Sequence, residues 1–323
     1  MLGVSVRAIR GAVAKLAEEG LVVLSHKSGC VVQSSGARVW RGRVLYVGLE
    51  SAQNSYYESS FLLAFRRRLA TLNILLDIVT FSHDENGGLR DRDLSEALLR
   101  PIDVVVLGSS DRDVCKIVSA SKLPFLWMCH EWPGRFRPAH CVAKLENPFG
   151  SAIDAFVGHC VEAHVGHVVQ FIPFEYSPLP GIDRALRDVG IQVRSIRIGL
   201  GEERPEKHAA SIRHRSMQKV LEAFKTGKIK KSDLLLFRDD GVALGGLVAL
   251  LHLGVDVPGS VKVVTLSNRG DEPVYPKALS CLQYDPFRLG ETVADRVDAC
   301  FRRLPVAESL DGVVKYVRGE TFP

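Results

Sequence analysis

Residues 234–285 read LLLFRDDGVALGGLVALLHLGVDVPGSVKVVTLSNRGDEPVYPKALSCLQYD. Leu234–Phe237 is an apolar run with no polar alternation, the pattern of a strand buried on both faces. Val242–Leu253 reads as a helix, with Gly245 and Gly246 inside it as packing positions. Val261–Leu266 is a second apolar strand, and Leu279–Gln283 a further short one. Strands and helices that alternate without a hairpin turn build a parallel sheet covered by helices on both faces.

The same alternation runs outward from this stretch. Upstream come strand Val44–Leu49, helix Tyr57–Thr71, strand Ile74–Phe81, helix Asp93–Leu99, strand Ile102–Leu107, helix Asp111–Ala120 and strand Pro124–Met128. Pro133, Gly134, Pro138 and Pro148 then cluster, so His130–Asn147 reads as a break. A second series follows: helix Phe149–Ala163, strand His167–Ile172, helix Ile182–Val189, strand Gln192–Ile198 and helix Glu206–Lys225. Beyond the opening stretch lie helix Phe287–Arg303 and strand Val313–Val317. Two consecutive series with a break between them predict a two-lobed α/β body of doubly wound parallel sheets. The ligand of such a body sits outside the carboxyl ends of the strands, in the cleft between lobes.

In residue detail, Asp240, Ala243-Leu244-Gly245, Leu253-Gly254, Val257-Pro258, Leu282-Gln283-Tyr284-Asp285 and Leu289-Gly290 resemble the C-terminal half of the LacI/GalR ligand-sensing domain. The resemblance implies a periplasmic-binding-protein-like fold. It also implies chain crossovers near Lys144–Asn147, Leu266–Asp271 and Cys281–Asp285, with lobe 1 at about 44–145 and 284–305 and lobe 2 at about 146–283 and 306–323.

The first residues are of another kind. In LGVSVRAIRGAVAKLAEEGLVVLSHKSGCVV, Ser5 is placed to cap a helix, and Val6, Ile9, Val13 and Leu16 recur at the spacing of one buried face. Gly20 stands where a helix stops. Leu21–Leu24 and Cys30–Gln33 read as two short strands around a polar turn that holds His26 and Lys27. A helix followed by a basic-tipped ribbon is the layout of a winged helix-turn-helix. Gly3, Val4, Ser5, Arg10, Leu16, Glu19, Gly20, Leu21 and Gly29 resemble the second half of a GntR-type DNA-binding domain, so residues 1–34 read as a partial head and 35–43 as a linker. The combined order resembles arabinose-repressor-like regulators.

Charge supports that division. Residues 1–43 carry seven Lys or Arg against two Asp or Glu, while the remaining 280 hold 35 of each. A basic segment on a neutral body is what phosphate attraction needs. No run of 18 apolar residues and no signal peptide is present, so a cytoplasmic location without membrane association is expected. The seven cysteines, Cys30, Cys115, Cys129, Cys141, Cys160, Cys281 and Cys300, show no C-x-x-C spacing and read as reduced thiols. His159, Cys160, His164 and His167 do not place three ligands on one helical face, so no metal is expected. No nucleophile elbow, phosphate loop or dinucleotide fingerprint follows a strand; neither catalysis nor a cofactor is expected.

Expected ligand contacts gather in the loops after the strands. Asp240 accepts from neighbouring hydroxyls or caps its helix; Arg238 and Asp239 read as a solvated strand end. Glu50, Ser51, Tyr56 and Trp132 serve lobe 1, with the Trp132 face suited to stacking on a sugar ring. Trp127, inside its strand, reads as core. The resembling family often carries an arginine in the loop after the first lobe 2 strand. That loop has none here, which argues against an arginine-held sugar or sugar acid and leaves Glu175 and Tyr176 as the contacts. For DNA the expected contacts are Ser5, Arg7, Arg10, His26, Lys27 and Gly29. These readings predict a homodimeric, ligand-responsive transcription regulator that binds operator DNA and a small-molecule effector, sugars included. The alternative is a cytoplasmic small-molecule-binding protein whose truncated head does not bind DNA independently.

Overall fold

The computed structural model describes residues 6–18, 22–25, 29–32, 40–50, 55–84, 88–90, 92–109, 111–129, 138–146, 149–173, 181–199 and 208–323. The chain opens with helix α1 (Val6–Glu18) and the antiparallel ribbon β1 (Val22–Ser25) and β2 (Gly29–Val32). The helix carries the predicted apolar stripe, yet Ile9 and Leu16 are 49% and 38% exposed, and β1 covers only part of the face.

Lobe 1 is a six-stranded sheet. Its strands are β3 (Gly42–Leu49), β4 (Ile74–His83), β5 (Leu89–Arg90), β6 (Val104–Leu107), β7 (Phe125–Cys129) and β8 (Cys141–Glu146), in the order β5-β4-β3-β6-β7-β8. All pairs are parallel except the β4–β5 hairpin, which the sequence reading did not include. The predicted break at 130–147 is also corrected, because Cys141–Glu146 within it form β8. Helices α2 (Tyr56–Thr71), α3 (Arg92–Leu98) and α4 (Arg112–Ala120) flank the sheet.

Lobe 2 repeats the plan with β9 (His167–Pro173), β10 (Gln192–Ile198), β11 (Leu234–Phe237), β12 (Lys262–Asn268), β13 (Ser280–Tyr284) and β14 (Val314–Val317), in the order β10-β9-β11-β12-β13-β14. Helices α5 (Gly150–Glu162), α6 (Ile182–Asp188), α7 (His208–Lys225) and α8 (Asp240–His252) cover it, while α9 (Pro286–Phe301) packs on α2 in lobe 1. Every residue of β11 is buried, as its unbroken apolar run requires.

The chain passes between sheets between β8 and α5, between β13 and α9, and between α9 and β14. The expected crossover at Leu266–Asp271 is corrected: β12 and β13 are parallel neighbours in one sheet, so the chain stays with lobe 2 there and passes to lobe 1 only after β13. A core including Phe61, Phe65, Leu69, Phe156, Leu236 and Leu289 runs through the inner helices of both lobes. Separate cores lie under α7–α8 and under α3–α4. Burying each large apolar side chain of this kind contributes about 1.5–3 kcal/mol. Gly290 lets α9 approach α2, since a Cβ there would meet the Phe61 carbonyl at 2.5 Å.

Candidate functional site at the carboxyl ends of the lobe 2 strands

Strand order reverses beside β9 in lobe 2 and beside β3 in lobe 1, so β10 and β11 diverge around β9 as β4 and β6 diverge around β3. Such switch points are where open α/β sheets leave room for a ligand. In lobe 2 the residues leaving β11 are Arg238, Asp239 and Asp240, and all three have definite roles.

Asp239, expected as part of a solvated strand end, is the N-cap of α8: its Oδ1 accepts from the Val242 amide at 3.1 Å. Arg238 is buried, and its Nη1 lies 3.5 Å from Gln170 Oε1 on β9, whose own Nε2 donates to Asp183 at 2.5 Å. The sequence reading left Asp240 between capping and ligand contact. Because Asp239 is the cap, the Asp240 carboxylate turns toward β12, where Oδ2 accepts from Asn268 Nδ2 at 2.9 Å.

The second carboxylate oxygen, Oδ1, is buried and has no hydrogen-bond partner among the described residues. Burial, aided by the nearby Asp239 and Asp271 charges, raises Asp240 to about 7, with the Asn268 bond opposing the shift. On β12 the Ser267 side chain is buried and its Oγ also lacks a partner. Burial pushes the neighbouring Cys281 thiol up, and Ser267 works against that shift without forming a hydrogen bond of ordinary geometry. Two buried polar atoms, one acceptor and one hydroxyl, are therefore open at the ends of adjacent elements. Leaving such atoms unpaired costs about 1–3 kcal/mol each, which a hydroxyl-bearing ligand would offset.

Among the described residues at the matching end of lobe 1, several polar groups pair with one another. Tyr46 Oη donates to Glu58 Oε1 at 2.7 Å, beneath Gly48 and Gly108, where a Cβ would collide with the tyrosine. Burial raises both groups, the bond to Tyr46 partly offsetting the shift at Glu58. His83 Nε2 lies 3.0 Å from Asp111 Oδ2, and fully buried Trp127 donates Nε1 to the Ser109 carbonyl at 2.7 Å.

Between the lobes, Tyr56 lies in the first turn of α2, and its Oη donates to the Arg269 carbonyl at 2.9 Å. Tyr57 Oη and Tyr284 Oη are 3.4 Å apart, and Arg269 Nη1 meets Asp285 Oδ2 at 2.7 Å. Tyr56, Arg269, Asp285, Arg288 and Glu291 line a groove of about 680 Å³ along this seam.

Of the remaining expected site residues, Glu50 follows β3 and is exposed, while Arg10 and Gly29 are exposed on α1 and β2. Ser5, His26, Lys27, Ser51, Trp132, Glu175 and Tyr176 lie outside the described residues, and of Arg7 only the backbone is described. Ser267, Asn268 and Gln170 carry no signal in the sequence, and Arg238, expected as part of a solvated strand end, is instead buried. Only the pairing of β11 with β12, in which Phe237 meets Thr265, brings Asp240 beside Asn268. The His159 cluster is structural: its ring nitrogens lie 2.7 Å from Tyr316 Oη and 2.9 Å from the Pro323 carbonyl. Among the described residues no group of His, Cys, Asp and Glu is arranged to hold a metal, and no helix is long and apolar enough to cross a membrane.

Residues 178–322 match the family model of the periplasmic binding protein-like domain. No curated protein matches the sequence. Among solved structures, a PurR family transcriptional regulator from Vibrio parahaemolyticus superposes with a TM-score of 0.65 at 15% identity, over 87% of this chain and 99% of that one. A dimeric Lac repressor with a C-terminal deletion gives 0.64 at 16%, over 87% and 100%. A LacI family regulator from Arthrobacter sp. FB24 in complex with lactose gives 0.62 at 14%, over 87% and 100%. At these identities the likeness shows the fold: a two-sheet α/β body of the kind found in LacI-family regulators.

Proposed function

We propose that this chain is a ligand-responsive bacterial transcription regulator, a repressor, that takes a neutral hydroxyl-rich small molecule in the cleft between its lobes. The open pair on lobe 2, Asp240 Oδ1 and Ser267 Oγ, is the observation that carries the reading. A buried carboxylate that lacks one donor, on the element next to a strand whose buried hydroxyl makes no hydrogen bond of ordinary geometry, suits a ligand offering several hydroxyls, as sugars and polyols do. The same carboxylate disfavours an anionic ligand, because a second negative charge would add to those of Asp239 and Asp271.

The ligand donates a hydroxyl proton to Asp240 Oδ1 and accepts or donates at Ser267, while Tyr56 and Glu50 meet it from the lobe 1 side. Ser51, Trp132, Glu175 and Tyr176 remain proposed contacts from the sequence. Closure of the lobes bends the three chain passes and moves lobe 1 relative to a partner copy. Val248 and Leu251 on α8 and Val274 beyond β12, 49%, 52% and 92% exposed, support a homodimer that covers this surface. Paired heads then change their separation, which a two-fold operator reads as a change in affinity. In each head α1 serves as recognition helix, with Ser5, Arg7 and Arg10 on bases and phosphates and the ribbon from His26 to Gly29 as the wing.

Thermal-shift screening with sugars, polyols and nucleosides tests the ligand half. A ligand bound only by the folded state raises Tm, and Asp240→Asn should lower that rise. Gel shifts on upstream DNA across a salt series test the other half; a flat response of log K to log salt would sink the electrostatic contact. The open α1 face at Ile9 and Leu16 favours a second reading, a small-molecule-binding protein without DNA binding of its own. A Tm rise with ligand but no gel shift at any salt concentration would select it.

A further inference from the structure

We propose that the free edge of β10 and the basic groove beside it form a docking site for an extended acidic peptide segment, which adds to the lobe 2 sheet as an outer strand. β10 pairs residue for residue with β9 on one side, and no described residue pairs with its other side. A sheet edge presents a row of outward N–H and C=O groups that bind another strand.

A hollow of about 310 Å³ runs beside this edge, and a second of about 190 Å³ continues from it under the amino ends of β10 and β9; the two share Arg194 and Lys228. The first also takes in Arg197, Lys219 and Glu222, the second Lys230 and Asp233. The two carboxylates are already committed. Glu222 holds Lys219 Nζ at 2.8 Å, and buried Asp233 accepts the Lys230 amide at 2.7 Å. Arg194 donates to the Lys228 carbonyl at 3.0 Å, and among the described residues Arg194, Arg197, Lys228 and Lys230 form no ion pair. The five cationic side chains of the lining, Arg194, Arg197, Lys219, Lys228 and Lys230, thus outnumber its two carboxylates, Glu222 and Asp233, and leave the groove net positive.

The placement of the arginines selects the partner. Val193 packs toward the core that holds α6, and Ile196 and Ile198 toward the core under α7. Side chains alternate along a strand, so Arg197 shares a face with Val193, and Arg194 shares the opposite face with Ile196. The arginines straddle the free edge three residues apart. Directly opposed residues of an added strand lie about 4.5–5.5 Å away, so two acidic residues three apart in the partner face one arginine each. A second copy of β10 is a poor occupant: antiparallel pairing about Ser195 and Ile196 would set Arg194 against Arg197 twice, and like charges in opposition destabilise a pair. The same repulsion that protects the edge from its own kind admits an acidic strand.

The test is fluorescence anisotropy on the full chain with the labelled peptide TVETVETV, its lysine counterpart TVKTVKTV, and TVETVETV N-methylated at alternate residues. The acidic peptide should bind and the lysine peptide should not. The double variants Arg194→Glu with Arg197→Glu, and Arg194→Gln with Arg197→Gln, should each weaken binding at least about tenfold while leaving the melting curve in place, because both side chains are exposed; N-methylation should weaken it comparably by removing main-chain bonds. No binding by the acidic peptide would overturn the proposal. So would binding that survives N-methylation, survives charge reversal, or is fully displaced by inorganic phosphate or duplex DNA, since each shows charge attraction without strand addition.

Discussion

The two lobes are built alike and finished differently. Each is a parallel sheet whose second strand lies outside its first, with helices on both faces and one antiparallel strand at an edge. Among the described residues at the carboxyl ends of lobe 1 the polar groups pair with one another, as Tyr46 does with Glu58, His83 with Asp111 and Trp127 with Ser109. At the same ends of lobe 2 the Asp240 Oδ1 and Ser267 Oγ atoms are left without a hydrogen bond of ordinary geometry. Under the proposed function this difference gives lobe 2 the polar groups that sense the ligand and lobe 1 the larger part in closure.

The largest expected effects probe the shared framework. Gly290→Val drives a side chain into the Phe61 carbonyl and the Phe65 amide across α2–α9 in lobe 1; Gly245→Val meets the Arg213 carbonyl across α7–α8 in lobe 2. Each should cost about 3 kcal/mol or more by overpacking, read as a fall in the urea midpoint. If one lobe tolerated its valine within experimental error, the idea of equivalent frameworks would fail.

That framework was legible in the sequence to different depths. The unbroken apolar runs Val104–Leu107 and Leu234–Phe237 announced central strands, and both are fully buried. Cys141–Glu146 was taken for a break, because an edge strand buries only alternate residues: Ala143 and Leu145 are buried, Val142 is exposed, and prolines precede them. At the site Asp240 was legible from its position after a strand. Which residue caps α8 was not, since two consecutive aspartates compete for that position and only backbone geometry assigns it to Asp239. Ser267 and Asn268 carried no signal by residue type. They become site residues through the register of β11 with β12, which is a tertiary fact.

The next effect is the pH dependence that Asp240 contributes in lobe 2. Burial raises Asp240 to about 7 in the folded chain, above its value of about 3.9 when unfolded. Between those values the folded state keeps a proton that the unfolded state has lost, so stability falls as pH rises from about 4 to 7 and stays low above. Asp240→Asn removes the titration. It should be more stable than the parent at pH 8, on the order of 2 kcal/mol after allowance for partial exposure, and should lose most of that advantage by about pH 4. Parallel melting curves for the two proteins across this range would refute the assignment. A bound polyol should flatten the parent's dependence, because a donor to Oδ1 favours the charged form.

Tyr46→Phe makes the corresponding cut in lobe 1. The Glu58 carboxyl, buried and raised by burial, loses the hydroxyl that compensates it. A loss of about 1–2 kcal/mol is expected, the cost of leaving one buried acceptor unpaired. Ligand-induced Tm shifts should be preserved, since this pair faces inward in a lobe assigned to closure.

Ser267→Ala is the smallest change in stability and the sharpest contrast with that cut. In Tyr46→Phe a satisfied pair is broken; in Ser267→Ala a hydroxyl that has no partner is removed, so the desolvation cost it carries disappears with it. The empty protein should keep its stability or gain up to about 1 kcal/mol. The ligand-induced Tm shift should nevertheless fall, because the hydroxyl finds its partner only when the cleft is filled. Opposite signs for the two substitutions in the empty protein, joined to opposite effects on ligand response, separate a lobe that stores its polar groups for binding from one that uses them for itself. A destabilising Ser267→Ala with an unchanged ligand shift would place the open pair in the folding of lobe 2 and leave the cleft without its reader.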